Sequence, residues 1–133
     1  MRELDILIVD DEPDVLRYLT AALSKHRVTT VHRAKLSVSQ ILNDTYDVIL
    51  CDLMMPEMTG MELHAAIEEK RPDIARRMFF MTAGVLVEQA QTFLAEIPDR
   101  WIEKPFSIKQ LEKHLGDLAK TVDDDRKNTP ASV

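Results

Sequence analysis

The chain has 133 residues, of which 45% are hydrophobic and 30% are charged, which is typical of one globular domain with a single core. Its formal net charge of −6 argues against a broad phosphate-binding surface, so we expect no direct binding of nucleic acid. The longest apolar runs fall far short of the roughly 20 residues that a membrane span needs, and the acidic N-terminus is unlike a secretory signal. Cys51 is the only cysteine, which excludes an internal disulfide and indicates a cytoplasmic protein.

Short apolar runs alternate along the chain with segments of helical periodicity, a pattern that predicts βα units on a parallel sheet. The predicted strands are 6–9, 28–32, 47–51, 78–81 and 100–102. The predicted helices are 13–26, 36–43, 61–70, 87–97 and a last one that starts after Ser107. Because we find no periodic apolar face beyond Thr121, we expect one domain over residues 1–120 and a disordered polar tail over residues 121–133.

Acidic residues follow the first and third predicted strands. Asp10 and Asp11 come directly after the first strand, and Asp52 comes directly after the third. Ligands collect at the carboxyl ends of parallel strands, so these carboxylates meet at one sheet edge if the two strands are neighbours. Unpaired carboxylates at short range repel one another, whereas Mg2+ accepts a few carboxylates together with a phosphate. The pattern therefore indicates phosphoryl chemistry on or near an aspartate.

Two later strand ends carry a hydroxyl and an ammonium group. Thr82 follows the fourth predicted strand, and Lys104 lies just beyond the fifth. Both groups can donate hydrogen bonds to a phosphoryl group, and the ammonium can also neutralise its charge. A solvated turn residue would explain each of these positions alone, but their common occurrence at strand ends favours a single site.

In this order the motifs resemble a receiver domain of a two-component response regulator. The residues that carry the resemblance are Asp10-Asp11, Asp52-Leu53-Met54-Met55-Pro56, Gly60, Thr82-Ala83 and Lys104-Pro105-Phe106. The resemblance implies a flavodoxin-like, doubly wound α/β fold with a five-stranded parallel sheet in the order 2-1-3-4-5 and five helices. It also implies a cis peptide bond between Lys104 and Pro105.

The resemblance assigns a role to each residue of the acidic cluster. Asp52 is expected to accept a phosphoryl group from a histidine kinase or a phosphotransfer protein. Asp11 is expected to bind Mg2+ directly, and Asp10 mostly through a coordinated water molecule. Asp52 and the backbone carbonyl of Met54 complete the expected metal ligands.

The expected function is a phosphorylation-controlled signalling switch rather than an enzyme that turns over a substrate. Thr82 and Lys104 are expected to contact the phosphoryl oxygens, and Thr82 to act with Trp101 as the switch. Many receiver domains carry a tyrosine or phenylalanine where this chain has Trp101, and a tryptophan at a partner interface explains the residue equally well. A downstream protein is expected to bind the face formed by the fourth helix, the fifth strand and the fifth helix. The sequence does not decide whether the chain also forms a homodimer. That face includes Glu88, Gln91, Trp101, Lys109 and Lys113.

Two other classes of protein share parts of this pattern. Phosphatases of the haloacid-dehalogenase type also combine a nucleophilic aspartate with Mg2+, a threonine or serine, and a lysine. They need a second aspartate two positions after the nucleophile, and this chain has Met54 there. An inert receiver-like interaction module is expected to lose residues of the site, and this chain keeps all five.

Overall fold

The architecture comes from a computed structural model that describes residues 2–84 and 86–128. The strands are β1 (Asp5–Val9), β2 (Arg27–Val31), β3 (Val48–Asp52), β4 (Met78–Thr82) and β5 (Trp101–Glu103). The helices are α1 (Pro13–Ala22), α2 (Ala34–Asn43), α3 (Gly60–Lys70), α4 (Pro72–Ala75), α5 (Glu88–Ala95) and α6 (Ile108–Asn128). The strands form one parallel sheet in the order β2-β1-β3-β4-β5, which confirms the doubly wound α/β fold. Among the helices of residues 2–84 and 86–128, the sequence did not predict the short helix α4.

The sheet is covered on both faces, which explains the continuous apolar runs of its central strands. Every residue of β3 and β4 is buried. Successive side chains point to opposite faces, so Leu50 and Phe79 belong to one core cluster while Cys51 and Phe80 belong to the other. Each large apolar side chain buried in this way contributes about 1.5–3 kcal/mol. The sheet is therefore a rigid support for the residues at its carboxyl edge.

Local hydrogen bonds fix where two of the helices begin. The Thr59 hydroxyl accepts from the Glu62 N–H at 3.1 Å while the Glu62 carboxylate accepts from the Thr59 N–H at 3.0 Å, a capping box for α3. Ser107 and Gln110 make the same reciprocal pair before α6, at 3.0 and 3.2 Å. Within the described residues, no helix combines the length and apolar character that a bilayer crossing requires.

The end of the chain differs from the sequence-based expectation. The predicted disordered tail is wrong for residues 121–128, which complete α6, and residues 129–133 lie outside the described part of the chain. Val122 is only 3% exposed and extends the apolar stripe of the helix by one more turn. Arg126 forms an ion pair with Asp47 at 3.1 Å, a partner that is distant in sequence. Packing and long-range ion pairing hold the segment helical in spite of its polar composition.

Candidate functional site

Three carboxylates meet at the carboxyl edge of the sheet, as the strand ends predicted. Strands β1 and β3 are neighbours, with Val9 opposite Cys51, so the residues that follow them lie side by side. Asp10, Asp11 and Asp52 each place a carboxylate oxygen within 4.8 Å of the others. Asp10 is fully buried, Asp52 is 6% exposed and Asp11 is half-buried. This is the arrangement in which a cation would relieve the most repulsion.

A close backbone approach fixes the loop that follows Asp52. The Gly60 N–H donates to the Leu53 carbonyl at 2.6 Å. A Cβ at Gly60 would lie 2.8 Å from the carbonyl oxygen of Asp52, so only glycine allows this packing. The backbone N–H of Met54 favours the charged form of Asp52 and so lowers its pKa, and the Met54 side chain is 45% exposed. The loop therefore holds Asp52 in place.

Lys104 reaches the acidic cluster from the end of β5. Its Nζ lies 3.4 Å from Oδ2 of Asp10 and 3.7 Å from Oδ1 of Asp52. The Lys104 N–H donates to the Thr82 carbonyl at 2.7 Å, and the Lys104–Pro105 peptide bond is cis, as the resemblance implies. The side chain is about one-fifth exposed, so the ammonium lies between the buried carboxylates and the solvent.

Thr82 is brought to the same edge by the register of the sheet. Asp52 lies opposite Met81, so Thr82 is one residue further along the neighbouring strand. Thr82 is 2% exposed, whereas Ala83 and Gly84, which follow it, are exposed. Gly84 has a φ of 68°, a conformation that glycine adopts without strain. A buried hydroxyl thus precedes a loop of small residues beside the acidic cluster.

The negative charge of the acidic cluster exceeds the positive charge that lies near it. Burial, and then the charge of Asp10, raise the pKa of Asp52 to about 6, although Lys104 opposes the change. Burial also raises the pKa of Asp10, although the Glu12 N–H at 2.9 Å and Lys104 stabilise its charged form. Within the described residues, Lys104 is the only basic side chain within 4 Å of either buried carboxylate. The set of oxygen donors and its excess negative charge fit a hard divalent cation such as Mg2+.

Trp101 lies on the edge strand, away from the acidic cluster. It is opposite Phe80 in the sheet and packs as a half-buried side chain against the core. Its indole Nε1 is buried and has no hydrogen-bond partner among the described residues. The surface predicted to bind a partner is formed by α5, β5 and α6, and its polar members are exposed. These members are Glu88, Gln91, Lys109 and Lys113.

The sequence reasoning missed two charged residues beside the cluster, Arg33 and Glu57. Arg33 lies in the loop after β2, and Glu57 lies in the loop after β3. They form an ion pair at 3.3 Å and line a cavity together with Asp11. A signal for Arg33 was present, because it lies just beyond the end of a strand like the other site residues. Nothing local to Glu57 indicated its partner, which is 24 residues away.

Comparisons with known proteins agree with this architecture. Residues 6–116 match the family model described as response regulator receiver domain. The response regulator SaeR of Staphylococcus aureus (strain USA300) is 29% identical over 115 residues, which are 85% of this chain and 49% of SaeR. The chain thus spans about half the length of the curated relatives that it matches.

Two solved structures illustrate the similarity of fold. The receiver domain of the Francisella response regulator 1452 has a TM-score of 0.76 and 23% identity, over 90% of this chain and 98% of its own. The receiver domain of a sensor histidine kinase from Pseudomonas aeruginosa has a TM-score of 0.72 and 23% identity, over 90% of this chain and 99% of its own. In that second structure a magnesium ion is coordinated in the active-site cleft.

Proposed function

The chain belongs to the response regulator receiver domain family, and from this premise we propose that it is a phosphorylation-controlled switch with Asp52 as the phosphoacceptor. Receiver domains accept phosphoryl groups in two-component signalling, with histidine kinases as partners. The observation that carries the assignment to Asp52 is the convergence of three carboxylates with the Lys104 ammonium at one sheet edge. Asp52 lies in the middle of that set, within reach of Lys104 and beside the strand that ends in Thr82.

The proposed chemistry is nucleophilic attack by the Asp52 carboxylate on the phosphorus of a phosphodonor. A bond forms between the Asp52 oxygen and phosphorus, and the bond from phosphorus to the donor's leaving group breaks with its electron pair. The product is an acyl phosphate on Asp52. Lys104 pairs with one phosphoryl oxygen and Thr82 donates a hydrogen bond to another, so both stabilise the charge that Asp52 gains. With a pKa of about 6, Asp52 is largely ionised at neutral pH and is able to attack.

Receiver domains bind Mg2+ in the active site, and we assign the ligands in this chain to Asp10, Asp11, Asp52 and the backbone carbonyl of Met54. When bound there, Mg2+ supplies positive charge that offsets both the carboxylates and the transferring phosphoryl group. Both carboxylate oxygens of Asp10 already have partners, the Glu12 N–H at 2.9 Å and Lys104 at 3.4 Å, which supports the indirect role that the resemblance gives it.

The proposed switch connects the site to the face of α5, β5 and α6. Thr82 ends β4, and Trp101 begins the neighbouring strand β5. A buried indole N–H without a partner is costly, so the observed position of Trp101 is easily exchanged for one in which Nε1 reaches solvent or a bound protein. Phosphorylation would shift the population between such states, and a downstream protein or a second copy of the chain would bind one of them.

Phosphorylation from a small donor tests the proposed function. With acetyl phosphate and Mg2+, the intact mass of the protein is expected to rise by one phosphoryl group. EDTA should prevent the increase, and Asp52→Asn should abolish it because an amide is a far poorer nucleophile than a carboxylate. The same mass increase in Asp52→Asn would contradict the proposal.

Binding of Mg2+ should depend on Asp11. Titration calorimetry of Asp11→Ala is expected to show an affinity lower by about ten-fold or more, a typical cost of disturbing a metal site. Asp14→Ala is the control, because Asp14 is an exposed acid nearby in sequence whose partner is Arg17. Equal losses in the two variants would indicate a general charge effect, and an unchanged affinity in Asp11→Ala would remove Asp11 from the ligand set.

A further inference from the structure

A small cavity lies beside Asp11, between the loop after β2 and the loop after β3. Its volume is about 120 Å³. Pockets for drug-sized ligands have volumes of about 300–1,000 Å³, so this one has room only for a small group. It is lined by Asp11, His32, Arg33, Ala34, Met55, Pro56 and Glu57. The cavity thus joins one member of the acidic cluster to a guanidinium group.

Arg33 is held across this cavity by a weak ion pair. Its Nη2 lies 3.3 Å from Oε2 and 3.5 Å from Oε1 of Glu57. The two side chains are 53% and 49% exposed. Exposed ion pairs contribute little to stability because solvent screens them and ordering two long side chains costs entropy, so releasing Arg33 from Glu57 costs little. The guanidinium is therefore available to another anion that reaches the cavity.

The charge of the acidic cluster explains why a further cation would help this site to bind a phosphodonor. With Mg2+ bound, the charges of the three carboxylates, Lys104 and the metal cancel, so the cluster offers no net attraction to a phosphodonor with two negative charges as it approaches. Lys104 is already engaged with two of the carboxylates. A guanidinium can donate two parallel hydrogen bonds to phosphoryl oxygens, and such charge-assisted hydrogen bonds are stronger than those between neutral groups. Arg33 lies at the cavity beside Asp11 with its side chain exposed, so it can attract the donor to the cluster.

We propose that this cavity is a phosphodonor subsite, in which Arg33 binds the phosphoryl oxygens of a small dianionic donor before the donor moves on to Asp52. Glu57 holds Arg33 when no donor is present and competes with the donor for it. The inference rests on the proposed role of Asp52 as phosphoacceptor and adds the residue that recruits the donor. Arg33 forms and breaks no covalent bond; it lowers the free energy of the bound donor.

The test compares phosphorylation rates of Arg33→Gln, Glu57→Gln and the double variant, with acetyl phosphate and Mg2+ at low ionic strength. Arg33→Gln is expected to lower the second-order rate constant by about three- to ten-fold, which is at the modest end of electrostatic effects on association. Glu57→Gln should raise it, because Arg33 is then free. The double variant should behave like Arg33→Gln. These differences should shrink at about 1 M salt, where the screening length is about 3 Å.

The opposite end of β2 provides matched controls. Arg27 forms ion pairs with Glu3 and Asp5 and is exposed, so Arg27→Gln and Glu3→Gln make the same changes in charge far from the site. Neither should alter the rate constant. Equal effects of Arg33→Gln and Arg27→Gln, or a slower Glu57→Gln, would overturn the subsite. A wild type that stays unphosphorylated would instead overturn the proposed function itself, and the subsite with it.

Discussion

Replacing Asp52 with asparagine is expected to stabilise the protein in the absence of metal, by about 2–3 kcal/mol near neutral pH. Burial, and then the charge of Asp10, raise the pKa of Asp52 from its ordinary value of 3.8 to about 6. One pKa unit corresponds to about 1.4 kcal/mol, so a rise of about two units means that keeping Asp52 ionised in the folded state lowers the free energy of unfolding by about 2–3 kcal/mol. The neutral amide of asparagine removes this cost. The corresponding rise in the melting temperature is roughly 5–10 °C.

The pH dependence of this gain has a definite sign. The folded protein holds the proton of Asp52 more tightly than the unfolded chain, so the destabilising effect of Asp52 is complete above about pH 6. As the pH falls from about 6 to about 4, Asp52 becomes protonated in the folded state and the cost disappears. The difference in unfolding free energy between Asp52→Asn and the wild type should therefore be largest at neutral pH and shrink on acidification.

Chemical denaturation of both proteins in EDTA, at several pH values, measures this difference directly. Addition of Mg2+ should reduce the advantage of Asp52→Asn, because a bound cation stabilises the ionised carboxylates of the wild type. A variant less stable than the wild type in EDTA would mean that the protein already satisfies the charge of Asp52, and would remove the physical reason for a cation there.

Asp47→Asn, the same substitution at the opposite end of β3, is expected to destabilise the protein by about 2–3 kcal/mol. Burial alone would raise the pKa of Asp47, but hydrogen bonds from Arg2, the Asp5 N–H and Arg126 outweigh burial and lower it to about 2. Arg2 donates to both carboxylate oxygens at 3.0 and 3.1 Å, so the charged form is well satisfied. Its contribution to stability is complete above about pH 4 and is lost as the pH falls through about 2.

The two variants are controls for each other. Asp47 and Asp52 are both buried, at 5% and 6% exposure, and they lie at the two ends of the same strand, Asp47 just before it and Asp52 as its last residue. They differ in their partners, since Asp47 has two arginines and Asp52 faces two other carboxylates with one lysine. Opposite signs of the change in unfolding free energy at neutral pH are therefore expected. Two losses of similar size would show that loss of any buried aspartate is harmful and that the Asp52 site is not special.

Strand ends were the part of the site that the sequence could predict. Asp10, Asp52 and Lys104 follow apolar runs that are short enough to be buried strands, and parallel strands present their carboxyl ends at one edge. This rule needs no knowledge of long-range contacts, so the prediction that these residues meet agrees with the observed distances. The order of the strands came from the family resemblance rather than from the residues alone.

Contacts between distant segments were the part that the sequence could not predict. The last turns of α6 are polar, and the burial of Val122 together with ion pairs such as Arg126–Asp47 and Arg2–Asp123 explains why they are helical. The pairing of Arg33 with Glu57 links two loops whose relative position depends on the finished sheet. In each case the stabilising partner lies outside any local window, so neither composition nor periodicity could reveal it.

Mapping the phosphoryl group after reaction with acetyl phosphate and Mg2+ tests the central claim most directly. Borohydride reduces an acyl phosphate to an alcohol, so treatment of the phosphorylated protein, followed by peptide mass spectrometry, identifies the aspartate that carried the group. We expect homoserine at position 52, only after phosphorylation, with Asp10 and Asp11 unchanged. Reduction at Asp10 or Asp11, or a phosphoryl group that resists borohydride and maps to a serine, threonine or histidine, would contradict Asp52 as the phosphoacceptor.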